Sequence, residues 1–180
     1  MRRNEPPTRG RAALNPPPRV AVVVSRYNES VTDALLEGAA EAYADRCGDG
    51  SSVFFVPAPG AFEITVIAAE LAACGRYDAI VALGCIIKGE TTHDQHLAAA
   101  VTHALTTISA VNRTPVGLGV LTVNNAKQAR ERAGGKFGNK GSEAMHAALD
   151  TLAVLRAIRK GAGAAANRVG TTRRAAKGAR

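Results

Sequence analysis

Short apolar runs and amphipathic stretches alternate along most of this chain. Arg19–Ser25 (RVAVVVS) is almost wholly apolar, the pattern of a parallel strand covered on both faces. The polar turn Arg26-Tyr27-Asn28-Glu29 follows it. From Ser30 to about Cys47, Val31, Leu35, Ala39 and Ala42 recur at helical spacing, and Gly48 closes the helix. Val53–Val56 reads as a second strand, broken by Pro57-Ala58-Pro59-Gly60. Phe62 to Cys74 reads as a helix ended by Gly75. Asp78–Ile87 (DAIVALGCII) is the third strand, and a helix follows from Asp94 to about Val111. Val116–Val123 is a fourth strand after Pro115. A short helix over Asn125–Ala133 stops at Gly134-Gly135, and a longer one runs from near Asn139 to Arg159. Its stripe is Met145, Ala148, Leu149, Leu152, Leu155 and Ile158. Strand and helix thus alternate four times, which predicts an α/β sandwich on a four-stranded parallel sheet with helices on both faces.

That architecture says where to look for chemistry, because ligands bind beyond the carboxyl ends of such strands. The loops at those ends are Tyr27-Asn28, Pro59–Glu63, Ile87–His93 and the turn near Asn124. The third is the richest. An apolar run ends at Gly84-Cys85-Ile86-Ile87-Lys88-Gly89-Glu90-Thr91-Thr92-His93 and passes straight into a helix. Thr92 and Gln95 have the spacing of a capping box, with Thr92 as N-cap. A helix N-terminus is an anion site, and His93 in its first turn adds a proton-transfer group.

Charge changes the picture only at the ends. The net charge is +8. Residues 1–19 hold five arginines and one glutamate, and residues 161–180 hold four arginines and a lysine with no acid. The stretch between them has 13 basic and 14 acidic residues, so the high pI belongs to the tails. The expected organisation is a proline-rich basic arm over 1–18, a folded domain over 19–160, and a Gly/Ala/Arg tail over 161–180. Neither end can bury enough apolar surface to offset its ordering entropy. Both are read as flexible, with nucleic-acid binding by the tails as the alternative. Cys47, Cys74 and Cys85 lack any Cys-x-x-Cys spacing, which excludes a disulfide framework or thiolate zinc site as the basis of the fold. No run is long enough to span a bilayer and none resembles a signal peptide, so a cytoplasmic setting with no membrane partner is expected.

Several signatures fail. No strand is followed by Gly-x-Gly-x-x-Gly. The segment Gly134–Gly141 lacks the Gly-Lys-Ser/Thr of a Walker A loop, and its glycines read as helix terminators. His93 and His96 can share a helical face, but Asp94 does not join them, so no metal is expected. Three residues keep two readings each. Glu63 complements a helix dipole or accepts hydrogen bonds from a polyol. Arg132 meets the end of its helix or clamps a phosphate. Tyr27 packs or stacks on a planar ligand.

Four segments together resemble lumazine synthases, the 6,7-dimethyl-8-ribityllumazine synthase family of riboflavin biosynthesis. They are Ser25-Arg26-Tyr27-Asn28, Pro59-Gly60-Ala61-Phe62-Glu63-Ile64, Gly89-Glu90-Thr91-Thr92-His93, and Glu131-Arg132-Ala133-Gly134 with Gly138-Asn139-Lys140-Gly141. They occur in family order with family-like spacing over roughly residues 19–160. The resemblance implies a flavodoxin-like fold in pentamers or shells of twelve pentamers, with each active site at a subunit boundary. It implies condensation of 5-amino-6-(D-ribitylamino)uracil with 3,4-dihydroxy-2-butanone 4-phosphate, releasing phosphate and water without a cofactor, and association with riboflavin synthase.

Residue by residue, the resemblance makes Tyr27 the aromatic that stacks on the pyrimidine, with Asn28 beside it. Ala61, Phe62 and Glu63 become the ribityl-binding loop, and Cys85, Ile86 and Ile87 the strand end that holds the pyrimidine. Glu90 and Thr91 would meet the butanone phosphate with Arg132. His93 would transfer protons, Leu118 would reach a neighbouring subunit's pocket, and Lys140 would approach the ligand. Tyr27 stands where Phe or Trp is usual and Leu118 where Phe is frequent. Thr65 replaces a proline, and Asp94-Gln95-His96 replaces an aromatic-containing stretch. Two other classes remain as alternatives: a non-catalytic flavin- or lumazine-binding protein of this fold, and a cage whose basic tails recruit polyanions.

Overall fold

A computed structural model describes residues 13–48 and 50–161. The predicted basic tail beyond Gly161 and most of the N-terminal arm lie outside those residues. The elements in chain order are β1 (Val20–Ser25), α1 (Glu29–Cys47), β2 (Val53–Ala58), α2 (Ile64–Ala73), β3 (Ala79–Ile87) and α3 (His93–Asn112). They continue with β4 (Val116–Val123), α4 (Ala126–Arg130), β5 (Ala133–Gly135), β6 (Gly138–Asn139) and α5 (Lys140–Arg159). The main sheet is four-stranded and parallel in the order β2-β1-β3-β4.

Strand alternation sorts the apolar residues into two cores. Val20 and Val22 of β1, with Val81 and Leu83 of β3, face α1 and α5 through Leu35, Met145 and Leu149. Ala21, Val23, Ile80 and Ala82 point the other way, onto Ile64 and Ala68 of α2 and Val101 and Leu105 of α3. The result is the predicted three-layer α/β sandwich. β1 and β3 are the two interior strands, β3 buried along all but its last residue, whereas Phe55 on β2 and Leu118 on β4 lie exposed at the sheet's two edges.

Four local expectations are corrected. β2 continues through Pro57 to Ala58 instead of ending at Val56. A proline costs no ladder bond on the free side of an edge strand, so the break falls at Pro59. The helix predicted to start at Phe62 starts at Ile64. The short helix stops at Arg130, not Ala133. The glycines beyond it instead build an antiparallel ribbon, β5 with β6, in which Gly134 and Gly138 take positive φ. Finally, Ile158 is exposed although it lies on the expected stripe, because α5 overruns the sheet that covers its earlier turns.

The chain just before β1 lies against the body. Leu14 packs on the α1/α5 core, the Tyr43 hydroxyl donates to the Pro18 carbonyl at 2.8 Å, and Arg156 donates to the Pro16 carbonyl at 3.1 Å. Close approach of α1 and α5, side by side in one layer, depends on Gly141 at the start of α5. A Cβ there would fall 1.8 Å from the Leu35 carbonyl oxygen of α1. Asn139 caps the same helix, its side chain accepting from the N–H groups of Gly141 and Ser142 while donating to the Ala34 carbonyl at 2.7 Å.

Candidate active site

The chain leaves β1 for an edge strand on one side and later adds β3 on the other, which makes the β1/β3 boundary the topological switch point. A cleft of about 470 Å³ opens there, within the roughly 300–1,000 Å³ usual for small-molecule sites. Its wall comes from the loop after β1 (Tyr27, Asn28), the loop after β2 (Gly60–Glu63), the end of β3 (Cys85–Ile87) and the entry to α3 (Gly89, Thr91, His93, Asp94), with Leu97 behind.

Asn28 locks this geometry. It adopts the left-handed conformation (φ 64°) that asparagine tolerates better than most residues, turning the chain from β1 into α1. Its side-chain amide donates to the Cys85 carbonyl at 2.9 Å and so bridges the switch point. The amide proton in that bond is committed to the scaffold, and the neighbouring Tyr27 ring is left 71% exposed over the cleft. Across from it Glu63 immediately precedes α2, and its side chain makes no capping bond to that helix. Gly60 leaves room for it, since a Cβ there would sit 2.9 Å from the Glu63 carboxylate oxygen. Burial pushes the Cys85 thiol up to about 11, so it is a neutral wall group at neutral pH and not a nucleophile.

The entry to α3 departs from the capping box. Thr92 does precede the helix, but with φ −81° and ψ 10° it lacks the extended backbone an N-cap requires, and its side chain makes no cap bond. The Gln95 N–H instead donates to the Thr92 carbonyl at 3.1 Å as a turn, and the His93 N–H reaches the Thr91 hydroxyl at 3.4 Å. The Thr92 side chain therefore does not compete with an anion for the start of this helix, and the Thr91 hydroxyl holds one of its N–H groups only at that long distance.

Ten of the fourteen candidate residues line the cleft: Tyr27, Asn28, Ala61, Phe62, Glu63, Cys85, Ile86, Ile87, Thr91 and His93. The other four do not. Glu90 is exposed between two lining residues. Leu118 sits on the β4 edge, in a separate depression of about 320 Å³ with Thr102, Leu105 and Thr106 of α3. Arg132 lies past α4, not in its last turn; it donates to the Gln128 carbonyl at 3.0 Å, with its guanidinium 4.8 Å from the Phe137 ring centroid. Lys140 pairs with Glu143 at the start of α5. His96 and His103 are exposed farther along α3. Sequence reasoning did not single out Asp94 or Leu97 as cleft residues; the helical spacing of Asp94 and Leu97 was the available signal.

Fold and cleft together define an α/β protein with a small-molecule site at the carboxyl edge of its sheet. Comparison with known proteins narrows this. The family model described as 6,7-dimethyl-8-ribityllumazine synthase matches residues 17–156. A 6,7-dimethyl-8-ribityllumazine synthase of Thermus thermophilus is 45% identical over 140 residues, covering 78% of this chain and 89% of that protein. One from Sulfurospirillum multivorans is 41% identical over 150 residues, covering 83% and 96%. The 6,7-dimethyl-8-ribityllumazine synthase 1 of Caulobacter vibrioides is 42% identical over 146 residues, covering 81% and 95%. The chain belongs to the 6,7-dimethyl-8-ribityllumazine synthase family.

Proposed function

We propose that the cleft at the β1/β3 boundary is where this transferase condenses 5-amino-6-(D-ribitylamino)uracil with 3,4-dihydroxy-2-butanone 4-phosphate. The product is 6,7-dimethyl-8-ribityllumazine, with phosphate and water released, as a step of riboflavin biosynthesis. The observation that carries the reading is the convergence on one cleft of three family-like loops that are far apart in sequence.

Each group has a role that its chemistry suits. The exposed Tyr27 ring stacks on the pyrimidine, which the Cys85–Ile87 strand end supports from below. The Glu63 carboxylate accepts hydrogen bonds from ribityl hydroxyls, and the uncapped start of α3 with the Gly89–Thr91 backbone receives the phosphate. His93, on the cleft wall, carries protons during imine formation and phosphate loss, while holding two reactants together supplies much of the acceleration. Leu118, Arg132 and Lys140 lie outside the cleft of their own subunit. A neighbouring copy in a pentamer would bring them to it, and the guanidinium of Arg132 would then clamp the phosphate. No helix among the described residues is long and apolar enough to cross a membrane.

Purified protein mixed with both substrates should form the fluorescent lumazine, and light scattering should report a pentamer or a shell of pentamers. His93→Ala should lower kcat roughly 10- to 100-fold, the low end for acid–base catalysis where positioning does much of the work. Arg132→Ala should raise KM for the butanone phosphate about tenfold or more and leave KM for the uracil nearly unchanged. Tight binding of the uracil without product would move the protein to the non-catalytic class. Wild-type turnover by both variants would remove the assigned roles.

A further inference from the structure

Asp94 is the one buried carboxylate among the described residues, 8% exposed, and it forms part of the cleft wall one residue beyond His93. Its Oδ1 is sealed from solvent and has no hydrogen-bond partner. It takes no part in the ion pairs Arg46–Asp150, Lys140–Glu143 and Arg156–Asp78. A buried charge without a partner is costly, and the helix N-terminus offsets only part of that cost. The carboxylate torsion is broad, so rotation about it can turn the sealed oxygen toward the cleft that Asp94 lines.

We propose that Asp94 is a binding residue for the amine-bearing substrate, accepting a hydrogen bond from an N–H or O–H of the ribitylaminouracil once it fills the cleft. The inference rests on the function proposed above. An ionised carboxylate only accepts, so the group it meets must be a donor. The other substrate carries a phosphate, which a carboxylate at close range repels. Asp94 therefore sorts the two reactants, leaving the phosphate to the loop before α3 and the donor-rich uracil to the wall behind it. The unmet hydrogen bond of the free protein is met on binding.

The test uses the full chain as wild type, Asp94→Leu and Asp94→Asn. Three quantities are read: KM for each substrate varied in turn, the calorimetric affinity for ribitylaminouracil alone, and Tm of the unliganded protein. For Asp94→Leu, the affinity for the uracil should fall about 10- to 100-fold and its KM should rise in parallel, the range of a charge-assisted hydrogen bond. KM for the butanone phosphate should hold or fall, because a carboxylate that repels it is removed, and Tm should hold or rise because the stranded carboxylate is gone. Asp94→Asn keeps one acceptor oxygen and should fall between the two. The proposal is overturned if Asp94→Leu and Asp94→Asn both bind the uracil like wild type. It is equally overturned if loss of affinity comes only with a lowered Tm or a changed oligomeric state, which marks a structural role. Wild-type protein that makes no lumazine sinks the functional reading instead; the calorimetric comparison still decides whether Asp94 holds the uracil.

Discussion

Removing the Asn28 side chain should cost stability in two separable parts. The first is the bond from its amide to the Cys85 carbonyl, 2.9 Å long and half-buried at the floor of the cleft. Losing it forfeits about 1 kcal/mol of net bond, and stranding the carbonyl adds about 1 kcal/mol more. The second is the left-handed backbone at φ 64°. Glycine accepts that conformation without strain, whereas alanine pays about 1–2 kcal/mol. Asn28→Gly should therefore destabilise by about 2 kcal/mol and Asn28→Ala by about 3–4 kcal/mol. Urea unfolding followed by circular dichroism, at one fixed protein concentration because assembly contributes to apparent stability, gives both values. KM for the uracil should rise in both variants, because the loop carrying Tyr27 loses its tie to β3. If both variants unfold within about 0.5 kcal/mol of wild type, the bond does not hold the cleft together. If the glycine variant is the weaker, the backbone argument is wrong.

Other perturbations test other parts of the structure. Gly141→Ala places a methyl against the Leu35 backbone and should destabilise by about 3 kcal/mol or abolish soluble expression, so near-normal unfolding would contradict the α1/α5 packing. Tyr27→Ala, at a largely exposed ring, should leave unfolding within about 0.5 kcal/mol while weakening uracil binding about 3- to 10-fold by calorimetry. Thiol alkylation should be selective. The Arg76 backbone N–H and side chain lower the Cys74 thiol, and burial raises Cys47 and Cys85. Reaction needs the thiolate, so at a pH of about 8 mass spectrometry should find Cys74 modified first, with Cys85 reacting only as pH approaches about 11. Early labelling of Cys85 would contradict its burial.

Periodicity along the chain was sufficient for the order of the principal elements and for a sheet covered by helices on both faces. A run such as Val20–Val24 can be satisfied only between two apolar layers, and its period of two puts Val20 and Val22 on one face and Ala21 and Val23 on the other; which helix pair each face meets is a matter of the fold. The carboxyl-edge loops followed from the parallel sheet, so the regions of Tyr27, Glu63, Cys85 and His93 were legible before any coordinates.

Only the tertiary structure decided which of those loops meet. The strand order sets Cys85 beside Asn28 although 57 residues separate them, and no local pattern encodes a hydrogen bond across that distance. Pro57 was read as a breaker because its tolerance depends on the strand being at an edge, which is a property of the sheet. Gly134 and Gly138 were read as helix terminators because positive φ suits both a helix end and a ribbon turn. Arg132 and Lys140 stand in the fourth family-like segment yet lie outside the cleft that the other three build, and the partnerless carboxylate of Asp94 exists only where α3 packs against the wall. Periodicity is a statement about which face of an element is apolar, and the chain carries it residue by residue. Contacts between elements are set by the packing of all of them at once, so they appear only in the assembled fold.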